Sequence, residues 1–124
     1  MTFINISNHP SSLWEAQQMA EAERYGKVID IPFPVIPSTA GEVYVSDLAE
    51  KFTRKIIEEY SPKEAVLHIM GEMCFTFTLV NRLMSEGYVC LASTSERSVI
   101  DDIPGYKEVF FHFVRFRKYQ LFPL

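Results

Sequence analysis

Apolar positions along the chain come in short unbroken runs, separated by stretches in which they recur every three or four residues. Phe3-Ile4-Asn5-Ile6 is the first run, and it stops at Ser7-Asn8-His9-Pro10. A run that is apolar on both sides of the pleat suits a strand covered on both faces, so this one reads as a central strand followed by a loop. Ser12-Leu13-Trp14-Glu15 matches a capping box, with Ser12 as N-cap and Glu15 reaching back. Leu13, Ala16 and Ala20 then share one face of a helix, and Gly26 stands just beyond it, where a left-handed residue is wanted. Val28–Ile31 is a second strand, ended by Pro32, Pro34 and Pro37, which cannot donate to a ladder.

Ser46-Asp47 opens a second helix with Leu48, Phe52 and Ile56 on an i, i+4, i+8 row, finishing before Pro62. Ala65–Met70 is a third strand, apolar except at His68. Met73–Val80 alternates Phe75, Phe77 and Leu79 with Thr76 and Thr78, a strand-like pattern, yet Asn81–Gly87 reads as the closing turns of a helix. Two parallel strands need a crossover between them, so Met73–Glu86 is assigned to a largely buried helix. Tyr88–Ala92 is the fourth strand. Val99-Ile100, the turn segment Asp101–Tyr106 and the aromatic arm Glu108–Phe116 predict a hairpin, and Gln120–Leu124 is a short apolar tail. With no repeat or linker, residues 1–124 read as one domain. This element order predicts an α/β fold: a three-layer Rossmann-like open sheet, mostly parallel, with a C-terminal β-hairpin and a spatial strand order near 2-1-3-4.

Composition narrows the function. The 124 residues carry 48% hydrophobic and 23% charged residues with a net charge of −4, the profile of an ordinary globular domain. Residues 1–62 hold 9 acids against 5 bases and residues 63–124 hold 7 of each, so the deficit is N-terminal. An acidic chain with no basic stripe is unsuited to gripping long DNA or RNA, whereas a small anion held by one or two arginines remains open. Cys74 and Cys90 each lie in apolar runs and read as buried free thiols. No signal-like segment or membrane span is recognisable, so a cytoplasmic protein is expected.

Ligands of open α/β sheets bind outside the carboxyl ends of the strands, where the strand order reverses. The residues that follow each strand are therefore the candidates. Ser7, Asn8, His9, Ser11 and Ser12 follow the first; Gly71 and Glu72, with Thr76 a turn later, follow the third; Ser93, Thr94, Ser95, Glu96 and Arg97 follow the fourth. His9 suits a general base or phosphate donor, or else a loop residue that bonds backbone near Pro10. Arg97 suits a phosphate fork, or a surface ion pair with Glu96 or Asp101. Gly71 permits a tight turn whose amides can receive a phosphate, or it is a packing glycine. His68 and His112 read as core histidines. The histidines, cysteines and acids lack metal-ligand spacing, and Walker A, G-x-S-x-G and G-x-G-x-x-G patterns are missing, so no metal or cofactor is expected.

Ser7-Asn8-His9-Pro10 ahead of a helix bearing Trp14, the segment Ala65–Glu72 running into Met73–Thr78, and Thr94-Ser95-Glu96-Arg97 together resemble the layout of CARF domains, small CRISPR-associated Rossmann-fold proteins. Their frequent Gly-Gly-Thr-Lys turn is here Gly71-Glu72-Met73-Cys74. The resemblance implies a homodimer that binds cyclic oligoadenylate, and likeness to stand-alone ring nucleases implies metal-independent cleavage in which a ribose 2′-hydroxyl attacks its own phosphate. His9 and Arg97 would then be catalytic, with Ser7, Asn8, Ser11, Gly71, Glu72, Thr76, Thr94 and Ser95 binding the ligand. A sensor that binds without turnover, and an interaction subunit with no ligand, are the alternatives.

Overall fold

The computed structural model describes residues 1–122; Pro123 and Leu124, the end of the apolar tail, lie outside them. Five strands and three helices follow in the order β1 (Thr2–Ser7), α1 (Ala16–Glu23), β2 (Lys27–Asp30), α2 (Glu42–Glu59), β3 (Ala65–Met70), α3 (Met73–Ser85), β4 (Val89–Ile100) and β5 (Glu108–Lys118). They form one sheet in the order β2-β1-β3-β4-β5. The predicted arrangement of the first four strands is correct, as is the assignment of the ambiguous Met73 segment to a helix.

Two expectations about the sheet are corrected. The fourth strand does not stop at Ala92. It runs to Ile100, because Ser93 through Ile100 all pair with β5, with a bulge between Thr94 and Ser95. Hydroxyl side chains suggested a loop, but they leave the backbone free to join a ladder once a partner strand is alongside. The sheet is consequently mixed rather than mostly parallel: β1, β2, β3 and β4 pair in parallel, while the longest pairing, β4 with β5, is antiparallel.

The capping box is the third correction. Ser11–Leu13 forms a 3₁₀ turn, Trp14 is extended, and α1 starts only after Glu15, whose side chain makes no capping bond. Competing bonds explain this: the Ser11 amide and hydroxyl both donate to Asp30 Oδ2 at 3.1 Å, and the Trp14 indole donates to the His9 carbonyl at 3.0 Å. Those ties hold the chain out of a helix, and Leu13, expected on an apolar helix face, is 78% exposed. Helix α2 likewise begins at Glu42, a full turn before Ser46-Asp47, which lie on its solvent side.

Strand alternation sorts the core into two layers. Ile4, Ile6, Leu67, Ile69 and Cys90 face α2 and α3, joined by Ala49, Ile56, Phe75, Leu79 and Leu83. Phe3, Val66 and Leu91 face the other way, toward Ala22 of α1 and toward Phe113 and Phe116 of β5. The Phe3 and Phe116 ring centroids lie 5.1 Å apart. Their strands are three sheet positions apart, at about 5 Å each in a flat sheet, so the β4–β5 ribbon must curl over this second face. Among the described residues no helix is long and apolar enough to cross a membrane.

Gly26, between α1 and β2, has φ +150°, and a Cβ there would meet the Met1 carbonyl oxygen at 2.0 Å. The obstacle is backbone and cannot swing away. Gly26→Ala is expected to cost about 2–3 kcal/mol of stability, read as a lower urea midpoint with an unchanged denaturant slope.

Candidate functional site

The second sheet face is covered unequally: α1 spans only eight residues, and the curled ribbon supplies the rest. Strand periodicity places Asn5 and Ser7 of β1, His68 and Met70 of β3, and Ser93 of β4 on that face at the carboxyl ends, with Asn5 level with His68 and Ser7 level with Met70. Between them and the two covers lies a cavity of about 430 Å³, within the range that holds small molecules. Ser7, His68 and Met70 line it from the sheet. His9, Leu13, Trp14, Glu15 and Gln18 line it from the β1–α1 segment, and Ser93, Thr94, Ser95, Phe111 and Phe113 from the ribbon.

A hydrogen-bond network fixes the loop after β1. The His9 carbonyl accepts from Asn5 Nδ2 at 3.0 Å, from Ser7 Oγ at 3.1 Å and from the Trp14 indole at 3.0 Å, and the His9 amide donates to Ser7 Oγ at 3.1 Å. Asn5 Nδ2 also donates to Asp30 Oδ1 at 3.0 Å, while Asn5 Oδ1 lies 2.9 Å from His68 Nδ1. The loop backbone is thus held from both sides, leaving the His9 side chain free for the cavity.

His68 is 2% exposed, yet among the described residues its Nε2 has no partner. Phe3 stacks on the imidazole with centroids 6.0 Å apart, and Trp14 and Phe116 meet it edgewise at 5.5 and 5.4 Å. Burial, reinforced by the charge of His9, holds its pKa down to about 4, so the ring is neutral. It is a core histidine as expected, but only half satisfied. No lysine or arginine lines the cavity; its titratable side chains are His9, Glu15 and His68, and Glu15 Oε1 lies 3.4 Å from His112 Nδ1.

The predicted site residues divide into three groups. Ser7, His9, Thr94 and Ser95 line the cavity together, the hydroxyls of β4 arriving from a strand rather than a loop. Thr94 Oγ1 is turned to the Arg115 carbonyl at 3.2 Å. Arg97 lies one residue pair beyond Ser95 on that face: it opposes Phe111 in the ladder, so it projects on the side Phe111 does, outside the lining. Asn8 is exposed, and Ser11 is engaged with Asp30; neither lines the cavity.

Gly71, Glu72 and Thr76 belong to the other side of the sheet. A Cβ on Gly71 would meet the Phe33 ring at 2.2 Å, so this glycine makes room for packing against the α2–α3 layer. Glu72 caps α3 by accepting from the Phe75 amide at 2.7 Å, which puts a carboxylate where a phosphate would sit. Thr76 is buried within α3. Asn5, Asp30, Trp14 and the two ribbon phenylalanines were not among the predicted site residues. Their sequence signals were a polar Asn5 inside an apolar strand, level with a polar His68 inside another, and Trp14 as an aromatic near a helix start. Among the described residues no group of three His, Cys, Asp or Glu side chains is placed to hold a metal ion.

Fold and cavity together define a small α/β protein with an aromatic, cation-free hollow at the carboxyl ends of its parallel strands. Residues 1–117 match the model of the uncharacterized protein MJ1673 family, and the chain belongs to that family. No curated protein and no solved structure matches the chain.

Because His68 must stay neutral in the folded protein while its unfolded pKa is 6.5, the unfolded chain binds more protons between pH 6.5 and about 4. The His68 contribution to stability should therefore be constant above pH 6.5 and be lost as pH drops through that window, by up to about 3 kcal/mol. In His68→Phe that component of the acid slope should vanish, as measured by urea melts across the pH range.

Proposed function

We propose that the protein binds a small cyclic nucleotide, a cyclic oligoadenylate, and seats an adenine in this cavity. The observation that carries the reading is an aromatic-walled hollow beside the β1–β3 pairing, the point where the strand order reverses and open α/β sheets take their ligands. Trp14, Phe111 and Phe113 offer faces or edges for a base, and stacking is worth about 1–3 kcal/mol per base. In this reading the sheet is Rossmann-like, the chain joins the CARF-like domains, and the hydroxyls of Ser7 and Ser95 approach the ribose. Arg97, sharing its face with Phe111, meets the phosphodiester at the rim. A ring of repeated units suits a two-fold homodimer that presents the cavity twice.

Binding without turnover is the better supported form of this reading. Transesterification builds charge on phosphorus, which needs preorganised donors or cations close by. His9 supplies a nitrogen at the cavity wall, but no lysine or arginine lines it, which leaves Arg97 at the rim as the one cation this reading brings to the phosphodiester. The protein therefore works as a sensor of the ring.

Trp14 is the chain's single tryptophan and lines the cavity, so its fluorescence reports occupancy directly. Cyclic tetra-adenylate or cyclic hexa-adenylate should quench it saturably in EDTA and emerge unchanged on chromatography. Phe111→Ala, at a ring 65% exposed and so dispensable for folding, should weaken binding by about 5- to 150-fold. Linear products that disappear in His9→Ala would replace the sensor with a ring nuclease. No response to either ring overturns the proposal.

A further inference from the structure

Strand β5 forms one end of the sheet and is eleven residues long, where β2 at the other end has four. β4 is paired on both sides only as far as Leu91; from Ala92 to Ile100 its one neighbour is β5. That stretch is a two-stranded ribbon, which by itself is marginal in water. Helix α1 supports its base, where Ala22 packs with Phe113 and Phe116. Beyond the base, Val99, Ile100, Val109, Phe110 and Phe111 are all exposed.

Among the described residues, neither a strand nor a loop backbone bonds to the outer edge of β5. A long apolar edge of unpaired N–H and C=O groups is a template for another strand, and proteins blunt such edges with proline, charge or brevity. Between Glu108 and Arg115 this edge has no proline, and His112 is its one ionisable side chain. The bulge leaves Val114 without an opposite residue, but Glu108–Phe113 ahead of it pairs regularly with β4.

Charge along the ribbon decides which strand fits. Its tip carries Asp101, Asp102 and Glu108 against Lys107, whereas the other end of β5 carries Arg115, Arg117 and Lys118 with no acid among them. A second β5 laid antiparallel brings each acidic tip beside the other copy's basic end. Laid parallel, it sets acid on acid and cation on cation. The strand is thus complementary to itself in one direction, the direction that a two-fold axis perpendicular to the sheet generates.

We propose that β5 is the docking surface for a second copy of this chain, the two strands pairing antiparallel about such an axis so that two five-stranded sheets become one. The axis keeps both cavities on the same side of the joined sheet, and each ribbon wall, with Phe111 and Phe113, is braced by its partner. This goes beyond the adenylate reading, which asks for two cavities but for no particular contact between copies.

The test follows the mass of the full chain by sedimentation velocity across micromolar concentrations. The wild type should sediment as a dimer that salt weakens, because the complementary charges are exposed. Asp101, Asp102, Arg117 and Lys118 are exposed and form no ion pair among the described residues, so reversing them spares the fold. Asp101→Lys with Asp102→Lys, and separately Arg117→Glu with Lys118→Glu, should each weaken dimerisation by about tenfold or more; single exposed pairs contribute little, but the symmetry counts each one twice. An equimolar mixture of the two variants should recover the dimer, since lysines then meet glutamates at one end and the native pairs meet at the other. Amide hydrogen exchange needs no variant: protection of Glu108–Phe113 should rise with protein concentration while that of β2 does not.

A chain that stays monomeric, a dimer indifferent to both reversals, a mixture that stays monomeric, or a dimer whose Glu108–Phe113 amides exchange as fast as the monomer's overturns the proposal. Its failure is separable from that of the adenylate reading. Rings bound by a monomer sink this interface alone, and a β5-paired dimer deaf to both rings sinks only the adenylate.

Discussion

The structure turns on one buried amide. Asn5 is 2% exposed in the middle of β1, an interior strand, where a polar side chain is tolerated only if its hydrogen bonds are made. It makes three, and each fixes a different part of the molecule. The bond to the His9 carbonyl shapes the loop after β1. The bond to Asp30 ties the end of β2 to β1, and through Ser11 to the segment ahead of α1. The bond to His68 sets which nitrogen of the imidazole carries the proton. Replacing such a group by an apolar one of similar size can leave a fold standing, so Asn5 is better understood as specifying one arrangement than as supplying stability.

The cavity is a consequence of uneven covering. Two helices of 18 and 13 residues close one face of the sheet, and a helix of eight is set against the other. The deficit is made good by the β4–β5 ribbon, which curls until Phe113 and Phe116 reach Phe3 of β1 through a linked set of rings. Bulges sharpen strand twist, and the one between Thr94 and Ser95 lies where the ribbon leaves the parallel part of the sheet. What remains open between helix and ribbon is a space walled by rings and floored by small polar groups. Such a lining suits a flat ligand with few but directed polar atoms.

Candidate site residues near a strand end were legible in proportion to how local their constraints are. Ser7 and His9 were found because a strand that stops at Ser-Asn-His-Pro must deliver its next residues to the sheet's carboxyl edge. Gly71 and Glu72 satisfied the same rule but answer to the opposite face, where a ring packs on the glycine and the carboxylate caps α3. Ser93–Arg97 satisfied it only on the assumption that the strand ended. Trp14 was visible as an aromatic near a helix start, but nothing local said that its indole would bond the His9 carbonyl and bring the ring against His68.

Periodicity and turn chemistry, which act over a handful of residues, were enough to determine the parallel strands, the three helices, the strand order and the break at Pro32. Those features follow from which side chains must leave water and which backbones cannot bond, and both are written in neighbouring positions. Tertiary structure alone decided the length of β4, the curl of the ribbon, the late start of α1 and the orphaned nitrogen of His68. Each depends on a partner far away in the chain: β5 for the ladder, Phe3 for Phe116, Asp30 for Ser11, Asn5 for His68. A hydrogen bond or ring contact across 63 residues leaves no periodic trace, because its energy is realised only after the sheet has brought its ends together.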